Sequence, residues 1–383
     1  MSVLGEMPEL EAVRDRLART PGAVTPHRVA EALRSAGRPV GDATVLEVYE
    51  ALRRDVVGAG PLEPLLRLPG VTDVLVNGPD DVHVDRGHGL ERVPVRLDDE
   101  EAVRRLAQRL AAQAGRRLDD ASPWVDARLH DGTRLHAVLS PLARPGTLIS
   151  LRVPARRSFS LAALRDAGSL PADALDHVRR LIASRAAFVV TGGTGSGKTT
   201  LLSALLSEVA PTERIVIVED ATELRPDHPH VVGLEARPAN VEGSGQVTVR
   251  DLVRQALRMR PDRLVVGEVR GAEVVDLLAA LNTGHEGGCG TVHANSTADV
   301  PARFEALGVA AGLPRAAVHS QLAAGVDVVV HVARGRDGRR GVDQLAVVHA
   351  DRHGVVSCVP ALSFRDGRTV AGPGRDRLLE VLR

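Results

Sequence analysis

The sequence is poor in features on which nucleic-acid-binding proteins depend. Aromatic residues make up 2% of its 383 residues, and the formal net charge is zero, with 49 acidic residues against 49 basic ones. Single-stranded nucleic acid is usually held by several stacking aromatic rings along a positively charged groove. The composition therefore disfavours a nucleic-acid groove and predicts no specific nucleic-acid partner.

Cysteine and long apolar runs are scarce as well. The two cysteines, Cys289 and Cys358, lie far apart, which fits a reducing compartment and excludes a four-cysteine zinc module. No uninterrupted apolar run approaches the ~18 residues of a membrane-spanning helix. The first ten residues carry acids and no apolar signal sequence. We therefore expect a cytoplasmic protein that reaches a membrane only through partners.

Lysine is nearly absent, because Lys198 is the only lysine among the 49 basic residues. It lies in the stretch Gly192–Thr199, which matches G-x-x-x-x-G-K-[ST], the P-loop or Walker-A pattern, at every fixed position. A compact ammonium on a flexible stem fits between phosphates where a planar guanidinium does not. This difference explains a lysine at this one place in a chain that otherwise uses arginine.

The surroundings of the pattern support a phosphate-binding loop. An apolar run at 186–190 precedes it, and leucines at helical spacing follow it, which predicts strand, loop and helix in that order. The N–H groups of such a loop and the positive end of the helix bind phosphate. We expect Lys198 to reach the β- and γ-phosphates of ATP and the Thr199 hydroxyl to bind Mg²⁺. The predicted nucleotide-binding residues are Gly192, Gly193, Thr194, Gly195, Ser196, Gly197, Lys198, Thr199 and Thr200.

The hydrophobic periodicity divides the chain into four parts. Residues 1–57 have helical spacing and are predicted to form a helical N-terminal segment. Short β-branched runs and one helix predict an α+β domain over 58–153, and 154–160 is a candidate linker. From 161 to 383, helical and strand patterns alternate, which predicts an α/β domain with a mostly parallel sheet.

Acidic residues follow two buried strand patterns of the α/β domain. Glu219 and Asp220 end the run at 214–220, and Glu268 ends the run at 263–268. Ligands of open α/β sheets bind at the carboxyl ends of the strands, and phosphoryl transfer to water needs a Mg²⁺ anchor and a carboxylate that orients the water. We predict that Glu268 holds the Mg²⁺ shell, partly through water. Glu223 is predicted to orient the attacking water, with Glu219 as a further candidate.

Two histidines and two arginines complete the predicted site. His285 and His293 are predicted to sense the γ-phosphate, with a structural role as the alternative for each, since their spacing matches no common zinc site. Arg134 and Arg152 lie in strand patterns and are expected to place positive charge opposite the γ-phosphate. The competing candidates are Arg258, Arg260 and Arg270.

Four stretches, in this order along the chain, resemble the sequence boxes of the type II/IV secretion ATPases. The P-loop comes first, 217–224 is similar to the Asp box of that family, 261–271 to its Walker-B box, and 283–287 with 290–295 to its His box. Segments between 71 and 134 resemble the N-terminal domain of the CpaF/TadA branch, the ATPases of tight-adherence pili and conjugal-transfer-like systems. Four ordered boxes are far more specific than a P-loop alone.

The resemblance implies a RecA-like P-loop ATPase domain preceded by a smaller α+β domain and a short helical N-terminal segment. It implies a homohexamer that binds ATP and Mg²⁺ between subunits and moves inner-membrane platform proteins of a pilus or secretion system, at the inner face of the cytoplasmic membrane. By position, Glu223, Glu268, His285 and His293 match the acidic and histidine residues of the boxes. Arg134 and Arg152 resemble positions that contact nucleotide at a domain or subunit boundary.

Two other functions remain open at this point. RecA-like cores also occur in nucleic-acid motors, although the scarce aromatic residues and the zero net charge disfavour that function. A nucleotide-binding scaffold that barely hydrolyses ATP is the other alternative, and the presence of both Glu223 and Glu268 argues against it.

Overall fold

The computed structural model describes residues 26–35, 58–154, 158–240, 243–284, 286–335, 338–365 and 368–383. The chain divides into two compact units, Met1–Pro154 and Ala155–Arg383. Of the predicted helical segment 1–57, the described part is one helix, α1 (Pro26–Ser35). The rest of that segment, and residues 155–157 of the predicted linker, lie outside the described residues.

The first unit is built on an antiparallel sheet and one long helix. Its elements after α1 are α2 (Glu63–Leu66), β1 (Asp73–Val76), β2 (Val82–Asp85), β3 (Leu90–Val93), α3 (Glu100–Gln113), β4 (Trp124–Arg128), β5 (Arg134–Val138) and β6 (Leu148–Arg152). The six strands lie in the order β3-β2-β1-β6-β5-β4, so each hairpin pairs locally and the central pair β1 and β6 joins the two halves.

The sequence fixes where α3 begins and which face it buries. The Asp99 carboxylate accepts the Ala102 N–H at 2.7 Å, and two glutamates follow in the first turn, where the positive end of the helix stabilises acidic side chains. Val103, Leu106 and Leu110 recur at helical spacing and are buried in the core of this unit. The expected small α+β domain is therefore present.

The second unit alternates helices and strands before it ends in antiparallel strands. Its elements are α4 (Leu161–Asp166), α5 (Ala172–Ala183), β7 (Phe188–Thr191), α6 (Lys198–Leu206), β8 (Ile215–Glu219), β9 (Val231–Glu235), α7 (Val249–Ala256), β10 (Arg263–Val269), α8 (Glu273–Leu281), β11 (Cys289–Val292), α9 (Val300–Ala310), α10 (Arg315–Gly325), β12 (Val328–Arg334), β13 (Arg340–Ala350), β14 (Val356–Arg365), β15 (Arg368–Ala371) and α11 (Arg375–Val381).

The nine strands lie in the order β15-β14-β13-β12-β7-β11-β10-β8-β9. The strands from β12 to β9 are parallel, and β13, β14 and β15 extend the sheet by antiparallel pairing. Alternate residues of the central strands enter two separate apolar clusters, so that Phe188 and Val190 lie in one and Val189 in the other. Helices thus cover both faces, which is why these strands are continuously apolar in sequence.

One charged side chain is fully enclosed at the amino end of β10. Arg263 is 1% exposed. Its Nε donates to the Glu213 carboxylate at 2.6 Å and its Nη2 donates to the Ile182 carbonyl at 2.9 Å. A Cβ at Gly287 would lie 1.9 Å from Arg263 Nη1, so the loop before β11 has a glycine where the guanidinium fills the space.

Replacing Arg263 by Ala is expected to lower the free energy of unfolding by about 3–5 kcal/mol, because Glu213 stays buried without its main partner. The exposed pair of Arg179 and Glu208, 3.2 Å apart, offers a matched control, and Arg179→Ala should cost about 0–1 kcal/mol. Chemical denaturation of both variants measures the difference. Equal losses in the two variants would contradict the structural role of the buried pair.

Candidate active site

The parallel strands bring four of the predicted site residues to one edge of the second unit's sheet. The loop after β7 leads to Lys198, β8 ends in Glu219, Glu268 is the penultimate residue of β10, and His293 directly follows β11. Since β7, β11, β10 and β8 are neighbours in this order, their carboxyl ends adjoin one another. Burial of the apolar strands therefore determines where these polar groups lie.

The loop between β7 and α6 has the backbone conformation of a phosphate-binding loop. Gly192 has φ +152°, and a Cβ there would lie 2.2 Å from the Val332 carbonyl oxygen, so no side chain fits. Gly197 has φ +100° and caps α6, a left-handed conformation that favours glycine. Lys198 is the first residue of α6, so the positive end of the helix adjoins the loop.

The Lys198 ammonium is buried and held by the loop itself. Its Nζ donates to the carbonyls of Gly192 and Gly193, each at 3.0 Å, and lies 3.3 Å from His293 Nδ1. Burial lowers the pKa of Lys198, whereas the charge of Glu268 acts in the opposite direction. An anion bound against the loop would add counter-charge to this buried ammonium.

His293 connects Lys198 to Glu268. An ammonium has donors only, so His293 Nδ1 accepts from it, and the other ring nitrogen, Nε2, lies 2.6 Å from Glu268 Oε1. Burial lowers the pKa of His293, and the positive charge of Lys198 lowers it further. The guanidinium of Arg270 forms an ion pair with the other Glu268 oxygen. The structure thus brings three of the predicted residues into one chain of contacts.

Glu223 and Glu219 lie close together but make different contacts. Thr199 Oγ1 donates to Glu223 Oε2 at 3.4 Å, so this carboxylate adjoins the start of α6. Glu219 is 6% exposed, and its Oε1 accepts the N–H groups of Glu223 and Leu224 at 3.0 Å each. Burial raises the pKa of Glu219 to about 7. Its contacts are with the backbone that carries Glu223.

The donor set at the start of α6 suits Mg²⁺. Thr199 offers a hydroxyl oxygen, and Glu223 and Glu268 offer carboxylate oxygens, which are the hard ligands that Mg²⁺ prefers. Among the described residues, no group of three or more histidines, cysteines or acids could hold a metal by itself.

Two of the other predicted residues form ion pairs within the first unit. Arg134 and Arg152 belong to the first unit, where Arg134 lies 3.9 Å from Asp126 and Arg152 lies 3.2 Å from Asp73. They face each other as register partners on β5 and β6. Of the competing arginines, Arg270 contacts Glu268. His285 lies outside the described residues, and its neighbours in sequence precede β11, whereas His293 follows it.

His331 is a buried polar residue that sequence reasoning missed. Its Nδ1 lies 3.0 Å from the hydroxyl of Thr191, the last residue of β7, and its ring also bonds the Asn295 backbone. It therefore links the base of the phosphate loop to the segment that follows His293. A lone histidine within the valine run of β12 was the signal in the sequence.

The pKa of Glu219 predicts a pH-dependent stability. An unfolded glutamate releases its proton near 4.5, but the folded chain keeps it up to about 7, so folding stability falls as the pH rises between these values. Glu219→Gln removes this titration. The free energy of unfolding of the wild type, relative to this variant, should fall by up to about 3 kcal/mol from pH ~4.5 to pH ~8. Chemical denaturation across this range measures it, and a constant difference would contradict the raised pKa.

No helix among the described residues is long and apolar enough to span a membrane.

The family model described as Type II/IV secretion system protein matches residues 55–372. A Mycobacterium tuberculosis protein named "Putative conjugal transfer protein" is 62% identical over 315 residues, which cover 81% of this chain and 90% of that protein. The type IV secretion system protein PtlH homolog of Bordetella bronchiseptica is 34% identical over 311 residues, covering 73% of this chain and 91% of that protein.

Solved structures of low sequence identity share the fold. The ATPase DotB of Legionella pneumophila gives a TM-score of 0.53 at 19% identity, over 77% of this chain and 80% of that chain. The pilus retraction motor PilT with bound ADP gives a TM-score of 0.53 at 22% identity, over 73% and 79%. The predicted α/β class, a RecA-like unit preceded by a smaller α+β unit, is confirmed. By the family match and the identity to these relatives, the chain belongs to the type II/IV secretion system protein family.

Proposed function

We propose that this protein hydrolyses ATP with Mg²⁺ and uses the energy to drive secretion or pilus assembly through a membrane complex. The observation that carries the proposal is the chain of contacts from Lys198 through His293 to Glu268 at the phosphate loop. Such a chain joins a phosphate-binding cation to a carboxylate in the Walker-B position, and both are required for phosphoryl transfer.

Each of these residues is assigned one role in ATP hydrolysis. The N–H groups of Gly192–Thr200 and the Lys198 ammonium would bind the phosphates, and the Thr199 hydroxyl and Glu268 would hold Mg²⁺, the latter partly through water. Glu223, beside Thr199, accepts a hydrogen bond from the attacking water and orients it. His293 contacts both Lys198 and Glu268. A change in the position of the γ-phosphate would therefore be transmitted to Glu268, the proposed Mg²⁺ ligand, through the His293 imidazole. His285 is proposed as a second phosphate sensor.

The finer assignment rests on the resemblance and on the names of relatives. We assign the chain to the CpaF/TadA branch, as a cytoplasmic homohexamer at the inner face of the membrane that acts on inner-membrane platform proteins. The 62% identity to a protein named for conjugal transfer supports this branch. The secretion system names of the PtlH homolog and of Brucella suis VirB11, which is 32% identical over 72% of this chain and 84% of that protein, support the export role.

Substitutions at the site separate binding from turnover. Lys198→Ala should abolish most ATP affinity, since the ammonium balances phosphate charge in a loop of neutral N–H groups. Glu268→Gln and Glu223→Gln should keep ATP bound and lower kcat by about 10²-fold or more, because the phosphate cradle is intact. Calorimetry and phosphate release measure the two effects. Wild-type ATP affinity in Lys198→Ala, or wild-type turnover in either glutamine variant, would show that the assigned role is wrong.

Arg134 and Arg152 test whether the first unit takes part in catalysis. If their guanidinium groups stabilise charge on the γ-phosphate, the doubly Ala-substituted chain should lose about 10²-fold in turnover. If they only pair with Asp126 and Asp73, turnover should hardly change, since exposed ion pairs contribute about 0–1 kcal/mol. Arg92→Ala is a matched control, because Arg92 forms an exposed pair with Asp81 at 3.5 Å.

Mixing variant chains tests whether these arginines act between subunits. A chain with Arg134→Ala and Arg152→Ala is mixed with a Lys198→Ala chain, so that some interfaces combine an intact phosphate loop with intact arginines. Partial recovery of ATPase activity is the expected result. A mixture as inactive as its two parents would contradict action between subunits.

A further inference from the structure

The segment that carries Glu223 belongs to no helix or strand, yet side chains accept its N–H groups. Glu219 Oε1 accepts those of Glu223 and Leu224. Ser203 Oγ accepts the Arg225 N–H at 3.2 Å, and Ser207 Oγ accepts the Asp227 N–H at 2.9 Å. Residue 226 is a proline, which has no N–H. Three side chains therefore accept every N–H group from 223 to 227. The segment itself forms no β-sheet hydrogen bonds.

Two of these side chains belong to the helix that follows the phosphate loop or lie directly after it. Ser203 lies on α6, the helix that begins at Lys198, and Ser207 directly follows its last residue. Ser207 Oγ also donates to the Ser203 carbonyl at 3.0 Å, so the hydroxyl is fixed while it accepts from Asp227. Two of the three groups that accept N–H groups of the segment 223–227 therefore belong to α6 or directly follow it.

The third side chain is fixed by β10. A Cβ at Gly267 would lie 2.5 Å from Glu219 Cγ and 2.9 Å from its Oε1, so the Glu219 side chain occupies the space that this glycine leaves. Gly267 immediately precedes Glu268. The carboxylate that bonds the Glu223 backbone is thus packed against the strand that carries the Mg²⁺ ligand.

We propose that Glu219, Ser203 and Ser207 are positioning residues, which hold the backbone of Glu223 so that its carboxylate stays beside Thr199. Glu219 links the segment 223–227 to β8 and β10, and the two serines link the same segment to α6. The orientation of the attacking water thus depends on the relative placement of the phosphate-loop helix and the Walker-B strand. The inference rests on the proposed ATPase function and assigns Glu219 a role other than direct contact with the water.

The first experiment compares kcat and ATP affinity of the full-length chain. Glu219→Ala should lower kcat by about tenfold or more while ATP affinity stays near wild type, because the phosphate cradle is intact and the water is misaligned. Glu219→Gln should restore most of the lost turnover, since an amide oxygen still accepts both N–H groups. If the glutamine variant is as slow as the alanine variant, the charge of Glu219 matters and the positioning role is wrong.

The serines are tested with a matched control. Ser203→Ala with Ser207→Ala should lower kcat by about threefold to tenfold without weakening ATP binding. Ser184 directly follows α5, and its hydroxyl donates to the Leu181 carbonyl, so Ser184→Ala should leave kcat unchanged. Equal effects of the control and the double variant would overturn the assignment of the serines.

A double-mutant cycle separates positioning from direct action. If Glu219 acts only through Glu223, the chain with Glu219→Ala and Glu223→Gln should turn over no more slowly than Glu223→Gln alone. Multiplied losses would show an independent role for Glu219 and overturn the proposal.

Hydrogen exchange provides a readout that does not need turnover. Amide exchange in a peptide covering 223–227 should accelerate in Glu219→Ala and in the double serine variant, and stay at the wild-type rate in Ser184→Ala. Unchanged exchange in both test variants would overturn the positioning role. A wild type that binds ATP without hydrolysing it would instead disprove the proposed ATPase function, whatever the exchange rates are.

Discussion

The burial of the parallel strands on both faces is the constraint on which the rest of the second unit depends. Helices cover both faces of the sheet, so strands β7, β11, β10 and β8 are apolar on both faces. Burying a polar group between such layers is costly, so the polar residues of the site lie at the strand ends. The carboxyl ends of parallel neighbours adjoin. The contacts of Lys198 with His293, and of His293 with Glu268, follow from strand order and not from proximity in sequence.

The sequence was sufficient to predict the features that depend on a regular period or a fixed spacing. The apolar runs predicted the buried strands, and the pattern around Lys198 predicted a glycine-rich turn that leads into α6. The α/β class follows from alternation. The role of the acid near the end of β10 was predictable because other acids follow a neighbouring buried strand and because it belongs to an ordered set of sequence boxes.

The contacts of irregular segments could not be predicted in the same way. Nothing in the spacing of Glu219 from Glu223 shows that the first bonds the backbone of the second, because that bond depends on how the chain turns after β8. Ser203 and Ser207 look like ordinary polar positions within and just after an apolar helix, and the N–H groups that their hydroxyls accept lie 22 and 20 residues away in sequence. Backbone N–H groups need partners when buried, but the sequence alone does not say which side chains will supply them.

Arginine occupies every basic position but one, so the Lys198 amine is chemically distinct from every other basic side chain of the protein. Apart from the α-amino group of the chain, Lys198 Nζ is the only primary amine in the protein. Acylation, reductive alkylation and isopeptide formation on lysine all act on such amines, so any of these modifications would fall on the phosphate loop. The amine donates to two loop carbonyls and is largely buried, so its accessibility to reagents reports the conformation of the loop itself. Any modification of lysine in this chain would therefore alter the atom that is proposed to bind the nucleotide phosphates.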